Sequence, residues 1–447
     1  MAPSSAAPAT ALSLAQPPSP VTVAHGDGRA TTVSGTAARL PARARRGTVA
    51  PMQASTRSAV PSFQVMMLLD QVARLRSQGR DVVNLCAGEP SGGALQAVRE
   101  HAATSPQNFG YTSPMGLAEL RRAIAEHYGR WYGMDVDAEQ VVMTTGSSGA
   151  FVLAFLAAFD PGDVVVLVRP GYPAYGNILR VLGCQVVELD CGPEVGFQPT
   201  PQMLDDVLAS HGRIDGLMVA SPANPTGTMI DRERLTALDA WCTANDVRLI
   251  SDEIYHGITY TTEAGTPDAH GVCAWDVTAE PTSVVISSFS KYWGMTGWRL
   301  GWALVPPDLV DAVAALAGNV ALCPPAPAQA AALGAFSDAA YTEAEGRVAK
   351  MARSRQALLS ELPRLGWGPV APADGAFYLW AGLADGLGPY SSSVDWCAAL
   401  LDQEGVAITP GVDFDREHGG EFVRLSFAGE PEELVEAVRR IERFQSR

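Results

Sequence analysis

The feature that most constrains this chain is a local pattern that recurs between about residues 81 and 305. A short apolar run leads into a loop rich in Gly, Pro, Ser or Asn, and a helical stretch follows. Five units carry this pattern, with apolar runs at 141–143, 164–168, 217–219, 247–250 and 284–286. Near-continuous apolar strands that alternate with helices are typical of a mostly parallel sheet covered on both faces. We therefore predict an α/β fold with a large domain of this kind.

The pattern changes after Ala335, which predicts a second, smaller α+β domain. Alternating strands are expected around 375–380 and 422–427, and an amphipathic helix closes the chain. We divide the chain into a tail at 1–58, an N-terminal segment at 59–90 that packs with the small domain, a large domain at 91–325 and a small domain at 326–447. The tail is rich in Ala, Pro, Ser and Thr without apolar periodicity and is expected to be disordered. A bacterial extension is favoured over a transit sequence.

Composition excludes several classes of function. The formal net charge of −16 has the wrong sign for a nucleic-acid-binding protein. The seven cysteines form no Cys-x-x-Cys motif or Cys/His cluster, so we expect no metal site and a reduced, cytoplasmic setting. The apolar runs stop short of the ~18 residues that a membrane span needs.

Polar clusters follow each of the five apolar runs. In open α/β sheets, ligands bind beyond the carboxyl ends of the strands. These clusters therefore predict a binding site at one edge of the sheet. They occupy residues 144–149, 169–173, 221–227, 251–255 and 287–291.

Lysine is rare in this chain: 30 of the 32 basic residues are arginines, and the two lysines are Lys291 and Lys350. Lys291 follows an apolar strand, and Arg299 lies eight residues further on. Burial and a second cation both favour the neutral amine, which is the form that Schiff-base chemistry with a carbonyl requires. An ordinary solvated lysine is the alternative, and the neighbouring tryptophans argue against it.

Two strand ends carry candidate ligand groups. Gly146, Ser147 and Ser148 lie between a strand and a helix, where amide and hydroxyl groups can bind a phosphate or simply cap the helix. Asp252 ends another strand, and a carboxylate there either binds a cation or caps a helix.

Three further residues have an ordinary and a functional interpretation. Asn224 precedes a proline in a turn, and its amide can also bind a ligand oxygen. Tyr172 lies between Gly171 and Pro173, so its ring is either a buried aromatic or a stacking surface for a flat cofactor. Arg424 lies in an alternating strand and forms either a surface ion pair or a bidentate clamp for a carboxylate.

Taken together, these residues resemble the fold-type I aminotransferases of class I and II that depend on pyridoxal 5′-phosphate (PLP). The stretch from Ser287 to Gly301 is similar to the lysine signature of this family, and the resemblance extends from about Pro61 to the carboxyl terminus. It implies that Lys291 forms the internal aldimine and moves the substrate proton, with Asp252 on the pyridine nitrogen. The other cofactor contacts that it implies are phosphate binding by Gly146, Ser147, Ser148, Ser288 and Arg299, stacking by Tyr172, and donation to the phenolic oxygen by Tyr255 and Asn224.

The resemblance also implies a substrate site and a partner. Arg424 matches the arginine that binds the substrate α-carboxylate. Gly88 would supply backbone on the other side of the substrate, and Asn224 would also bind it. Tyr111 matches a tyrosine that reaches the phosphate site of a neighbouring subunit, which implies a homodimer with shared active sites.

The resulting prediction is an aminotransferase of the EC 2.6.1 type. Arg299 is the only arginine between Lys291 and Arg347, so the partner arginine that reads a side-chain carboxylate in one aspartate-specific branch has no counterpart. We therefore favour neutral or apolar amino donors. A PLP-dependent lyase or cyclase is the first alternative, because the same residues permit it. A catalytically inactive regulator is the second alternative.

Overall fold

The computed structural model describes residues 53–105, 109–260 and 268–447. The predicted tail at 1–58 therefore lies outside the described residues except for its last six positions, which include a 3-10 turn at Thr56–Ser58. Residues Ser55–Arg447 form one compact unit. The helices of the described ranges are α1 Gln64–Ser77, α2 Gln96–Thr104, α3 Ala118–Tyr132, α4 Gly146–Ala158, α5 Ala174–Leu182, α6 Pro201–His211, α7 Arg232–Ala244, α8 Val310–Val320, α9 Ala326–Ala332, α10 Asp338–Glu361, α11 Ser393–Glu404 and α12 Pro431–Gln445.

The strands of the described ranges are β1 Val83–Asn84, β2 Val141–Thr144, β3 Val164–Arg169, β4 Gln185–Asp190, β5 Gly216–Ala220, β6 Arg248–Asp252, β7 Val284–Ser288, β8 Gly301–Leu304, β9 Tyr378–Gly382, β10 Val406–Ala407, β11 Thr409–Pro410 and β12 Phe422–Ser426. They form three sheets, the largest of which has seven strands in the order β2-β8-β7-β6-β5-β3-β4. All its neighbouring pairs are parallel except the two made by β8, which is antiparallel to β2 and β7. The mostly parallel sheet is thus confirmed, whereas the reversed strand was not predicted.

The large sheet is buried on both faces, as its apolar runs require. Side chains alternate between two apolar clusters: Leu217 and Val219 of β5 belong to one, and Met218 between them belongs to the other. Helix α4 covers the second face with Phe151 and Phe155. This two-sided packing fixes the strand ends, because a strand buried on both faces has little freedom to shift its register.

The smaller sheet is antiparallel and has the order β11-β12-β9. A separate parallel pair joins β1 to β10, so the chain segment before the large sheet pairs with a strand near the carboxyl terminus. The domain boundaries themselves remain a prediction. None of the helices in the described part of the chain is long and apolar enough to cross a membrane.

Candidate active site

The polar strand ends meet at one cleft with a volume of about 310 Å³. Ten of the thirteen predicted site residues line it. The remaining three are Gly146, which lies against Arg299, the buried Ser288, and Tyr111, whose side chain is 84% exposed. The ten lining residues are Gly88, Ser147, Ser148, Tyr172, Asn224, Asp252, Tyr255, Lys291, Arg299 and Arg424.

Lys291 enters the cleft from the turn after β7. Its Nζ donates a hydrogen bond of 2.6 Å to the carbonyl oxygen of Gly88. Burial, followed by the positive charge of Arg424, lowers the pKa of Lys291 to about 8. The amine can therefore lose its proton near neutral pH, as nucleophilic attack on a carbonyl requires.

Asp252 ends β6 and is buried. Its Oδ2 accepts a hydrogen bond from the Tyr175 hydroxyl, and its Oδ1 accepts one of 3.2 Å from the backbone N–H of Ile254. Burial raises the pKa of this carboxyl to about 6, and the hydrogen bond from Tyr175 opposes that shift. Asp252 forms no ion pair within the described ranges, so a cationic group from a ligand would compensate its buried charge.

The first turn of α4 forms one end of the cleft together with Arg299. Gly146 has a φ of +67°, and a Cβ built there would lie 2.5 Å from Nη2 of Arg299. Thr145, the N-cap residue of α4, makes no side-chain capping bond, so the first amides of the helix are available to an anion. Ser288 lies just behind this end, where its Oγ accepts a hydrogen bond from the N–H of Ser290.

Arg424 of β12 forms the opposite end and is only 3% exposed, so its interpretation as a surface ion pair is wrong. Its guanidinium donates bonds of 3.0 Å to Oδ1 of Asn224 and to the carbonyl oxygen of Cys86. Its Cζ lies 4.4 Å from the ring centroid of Tyr378 and 4.8 Å from that of Phe414. The Nε of this guanidinium has no partner in the described structure. These contacts fix the group while leaving it able to bind a carboxylate.

The three cations that line the cleft share one property. None of Lys291, Arg299 and Arg424 forms an ion pair with a carboxylate of the described residues. Unpaired cations in a cleft favour anionic ligands.

Several lining residues were missed by the sequence analysis. Tyr175 follows Tyr172 by three positions, and that spacing was an available signal for a second aromatic residue in the cleft. Tyr378 donates to or accepts from the hydroxyl of Tyr255 at 3.0 Å. Others are Phe63, Val65, Met66 and Leu69 around α1 and Asp413 and Phe414 near the carboxyl terminus. No local sequence signal marks these last residues.

Most of this chain is similar to proteins of one known family. The family described as aminotransferase class I and II matches residues 80–441. The valine–pyruvate aminotransferase of Mycobacterium tuberculosis is 50% identical over 86% of this chain and 96% of its own length. The aspartate/prephenate aminotransferase of Thermus thermophilus is 35% identical over 83% of this chain and 93% of its own length. The crystal structure of an aminotransferase from M. tuberculosis has a TM-score of 0.83 and 48% identity, and the match covers 88% of this chain and 99% of that one.

Proposed function

This chain belongs to the class I and II aminotransferases. On that premise we propose that its cleft binds PLP and transfers amino groups from amino acids with neutral or apolar side chains. Members of this family use PLP, so the protein is a PLP-dependent aminotransferase of the EC 2.6.1 type with an amino acid and a 2-oxo acid as substrates. The relatives described above give no support to the alternative of a lyase or cyclase.

The charges of the cleft fit PLP group by group. The amides of the first turn of α4 and the guanidinium of Arg299 suit the phosphate, and the close approach of Gly146 to Arg299 makes a cradle that a Cβ would fill. The unpaired Asp252 suits the pyridine nitrogen, where it would keep a proton in place. Tyr172 lines the cleft and would stack on the ring, while Tyr255 and Asn224 would bind the phenolic oxygen.

The reaction then depends on Lys291 and Arg424. Bound PLP supplies a ring that withdraws electrons from the substrate Cα. With its lowered pKa, the Nζ of Lys291 would accept the proton from the substrate Cα and hold it for return. Arg424 would hold the α-carboxylate and thereby orient the Cα–H bond. The observation that carries this proposal is the set of charges that line the cleft. Among the described residues, Lys291, Arg299 and Arg424 have no carboxylate partner and the buried Asp252 has no cationic partner.

The same count of charges supports neutral or apolar donors. The phosphate would bind Arg299, the α-carboxylate would bind Arg424, and Lys291 would react with the aldehyde as a neutral amine. No further arginine or lysine lines the cleft among the described residues, so a second carboxylate on the substrate would lack a cation.

The scarcity of lysine gives a sharp test of the role of Lys291. The holoenzyme is treated with borohydride, which fixes PLP to the amine that holds it, and the peptides are mapped by mass spectrometry. We expect the label on Lys291, loss of both the label and amino transfer in Lys291→Ala, and normal activity in the matched control Lys350→Ala. Labelling of Lys350, or an active Lys291→Ala enzyme, would contradict the proposal.

Donor range is tested on the same holoenzyme. Single amino acids are added without an acceptor, and the change in cofactor absorbance gives the rate of each half-reaction. We expect valine and alanine to react faster than aspartate. Release of ammonia without an acceptor would instead indicate lyase chemistry.

We further propose a homodimer in which Tyr111 enters the active site of the second copy. Tyr111 is 84% exposed, and Val320 and Leu322 are also exposed apolar residues. An apolar surface cleft of about 430 Å³ is lined by Val320 and by Ser148, which also lines the cofactor cleft. Mixing inactive Tyr111→Ala and Lys291→Ala subunits should restore activity, because one site of the mixed dimer then has both residues. Mixtures that stay inactive although the subunits exchange would contradict shared sites.

A further inference from the structure

Helix α1 begins without a cap of its own. Its N-cap residue is Phe63, whose side chain has no hydrogen-bond acceptor, and the first turn contains no acidic residue. The amides of Gln64 and Val65 donate instead to the two carboxylate oxygens of Asp413, at 3.1 and 3.0 Å. Asp413 is 349 residues away from Gln64 in sequence. The first backbone amides of a helix normally donate to a side chain close by in sequence. In α1 they donate to a segment that is distant in sequence.

The segment that carries Asp413 is itself tied to the large sheet. The carbonyl oxygen of Phe414 accepts a 3.0 Å bond from the N–H of Gly171, next to Tyr172. Arg169, at the end of β3, contacts Glu417 at 2.6 Å and Asp415 at 3.6 Å. Asp413 thus connects α1 to a fixed point at the rim of the cleft.

The face of α1 that this contact holds in place is apolar. Val65, Met66 and Leu69 line the cleft, and their spacing of three and four residues puts them on one side of the helix. Val65 and Leu69 also pack on the buried cluster that contains Val72 and Leu75. Met66 remains 57% exposed although it lines the cleft, so it offers apolar surface to a ligand.

We propose that Asp413 is a positioning residue for substrate selectivity: its carboxylate fixes the first turn of α1, and Val65, Met66 and Leu69 then form the wall that contacts the side chain of the amino donor. This inference rests on the proposed aminotransferase reaction and adds the part of the chain that distinguishes donors. Arg424 would bind the α-carboxylate and Lys291 would accept the Cα proton, and these groups are common to amino donors. An apolar wall, in contrast, contacts only donors with a side chain long enough to reach it. Valine and leucine should therefore depend on Asp413 more than alanine does.

The experiment compares donors on PLP-loaded enzyme. Single-turnover rates with alanine, valine and leucine give kcat/KM for each, and the valine-to-alanine ratio is the readout. In Asp413→Ala we expect this ratio to fall about tenfold, equivalent to about 1.4 kcal/mol. Asp413→Asn keeps one acceptor oxygen and should give an intermediate ratio. The matched control is Asp231→Ala, which removes the carboxylate that caps α7 through the N–H of Arg234 at 2.8 Å.

If Asp413→Ala does not fold, a substitution in the apolar wall itself tests the same proposal. Met66→Ala leaves the contact with Asp413 intact and should also lower the valine-to-alanine ratio, mainly through a higher KM for valine. Equal losses for alanine and valine in Asp413→Ala, or an unchanged ratio in Met66→Ala, would overturn the proposal. A wild-type enzyme that transfers no amino group from any donor would instead refute the proposed function, so the two failures are distinguishable.

Discussion

Truncation of Arg424 to alanine tests whether this side chain binds the substrate α-carboxylate. The guanidinium is almost fully buried and is fixed by Asn224, by the carbonyl oxygen of Cys86 and by two aromatic rings before any ligand arrives. The Arg424 side chain therefore loses little conformational entropy when a carboxylate binds. Almost all of the free energy of its hydrogen bonds to the carboxylate then contributes to binding. Loss of one partner of a buried charge pair costs about 3–5 kcal/mol, so we expect kcat/KM for valine to fall about 10²–10⁴-fold.

The assay separates the carboxylate from the rest of the substrate. Valine and isobutylamine carry the same side chain, but isobutylamine has no carboxylate, and both are followed by the change in cofactor absorbance. In Arg424→Ala the rate with valine should fall towards that with isobutylamine, and the rate with isobutylamine should change little. Arg355→Ala is a matched control, because Arg355 also donates to backbone carbonyls, at 2.7 and 2.8 Å, and lies over an aromatic ring, yet it does not line the cleft.

Two results would refute this reasoning. Equal losses with valine and isobutylamine would mean that Arg424 supports the structure of the cleft and does not bind the carboxylate. A normal rate with valine in Arg424→Ala would place the carboxylate elsewhere. Arg424→Lys should remain strongly impaired, because an ammonium keeps the charge but loses the planar fork.

Three further predictions concern the cofactor end of the cleft. Because burial lowers the pKa of Lys291 to about 8, the rate at which the apoenzyme captures PLP should rise with pH and reach half its maximum near pH 8; stopped-flow absorbance measures this rate, and a midpoint near pH 10 would contradict the lowered pKa. Gly146→Ala should weaken PLP binding about tenfold, since the new Cβ meets Arg299 and the positive φ is strained; Gly79→Ala has a similar φ in open space and should bind PLP normally in the same titration. Asp252→Asn should slow the half-reaction about 10²–10³-fold, because the pyridine nitrogen would lose its buried carboxylate partner; a variant with wild-type rates in rapid-mixing experiments would show that Asp252 serves the apo structure only.

The parts of the fold that could be predicted from sequence are those that depend on local pattern. Short, nearly continuous apolar runs that alternate with helices predict a mostly parallel sheet covered on both faces. Parallel strands bring their carboxyl ends to one edge of such a sheet. Asp252, Lys291 and the loop at Gly146 were accordingly expected in one cleft, and the structure places them there. Strand β8 was missed because Gly301–Leu304 is short and follows directly on the lysine segment.

The parts that could not be predicted depend on contacts between distant segments. Nothing near Asp413 in sequence indicates that its carboxylate receives two amides of α1, since a capping residue is normally sought within a few positions of the helix start. Tyr378 was read as part of an alternating strand, and only the pairing of β12 with β9 brings it under Arg424. Such residues become visible only when the tertiary structure is known.

The dependence of α1 on Asp413 has a consequence for recombining this enzyme with its relatives. A chimera that exchanges only residues 63–77 would receive a helix whose first turn must fit a foreign loop. The unit that can be transplanted is discontinuous and consists of 63–77 together with 411–418, although more than 300 residues separate the two pieces. Libraries built with a single crossover between them would separate the two halves of this unit in every recombinant. Exchange of both pieces together keeps each helix with the loop that holds it.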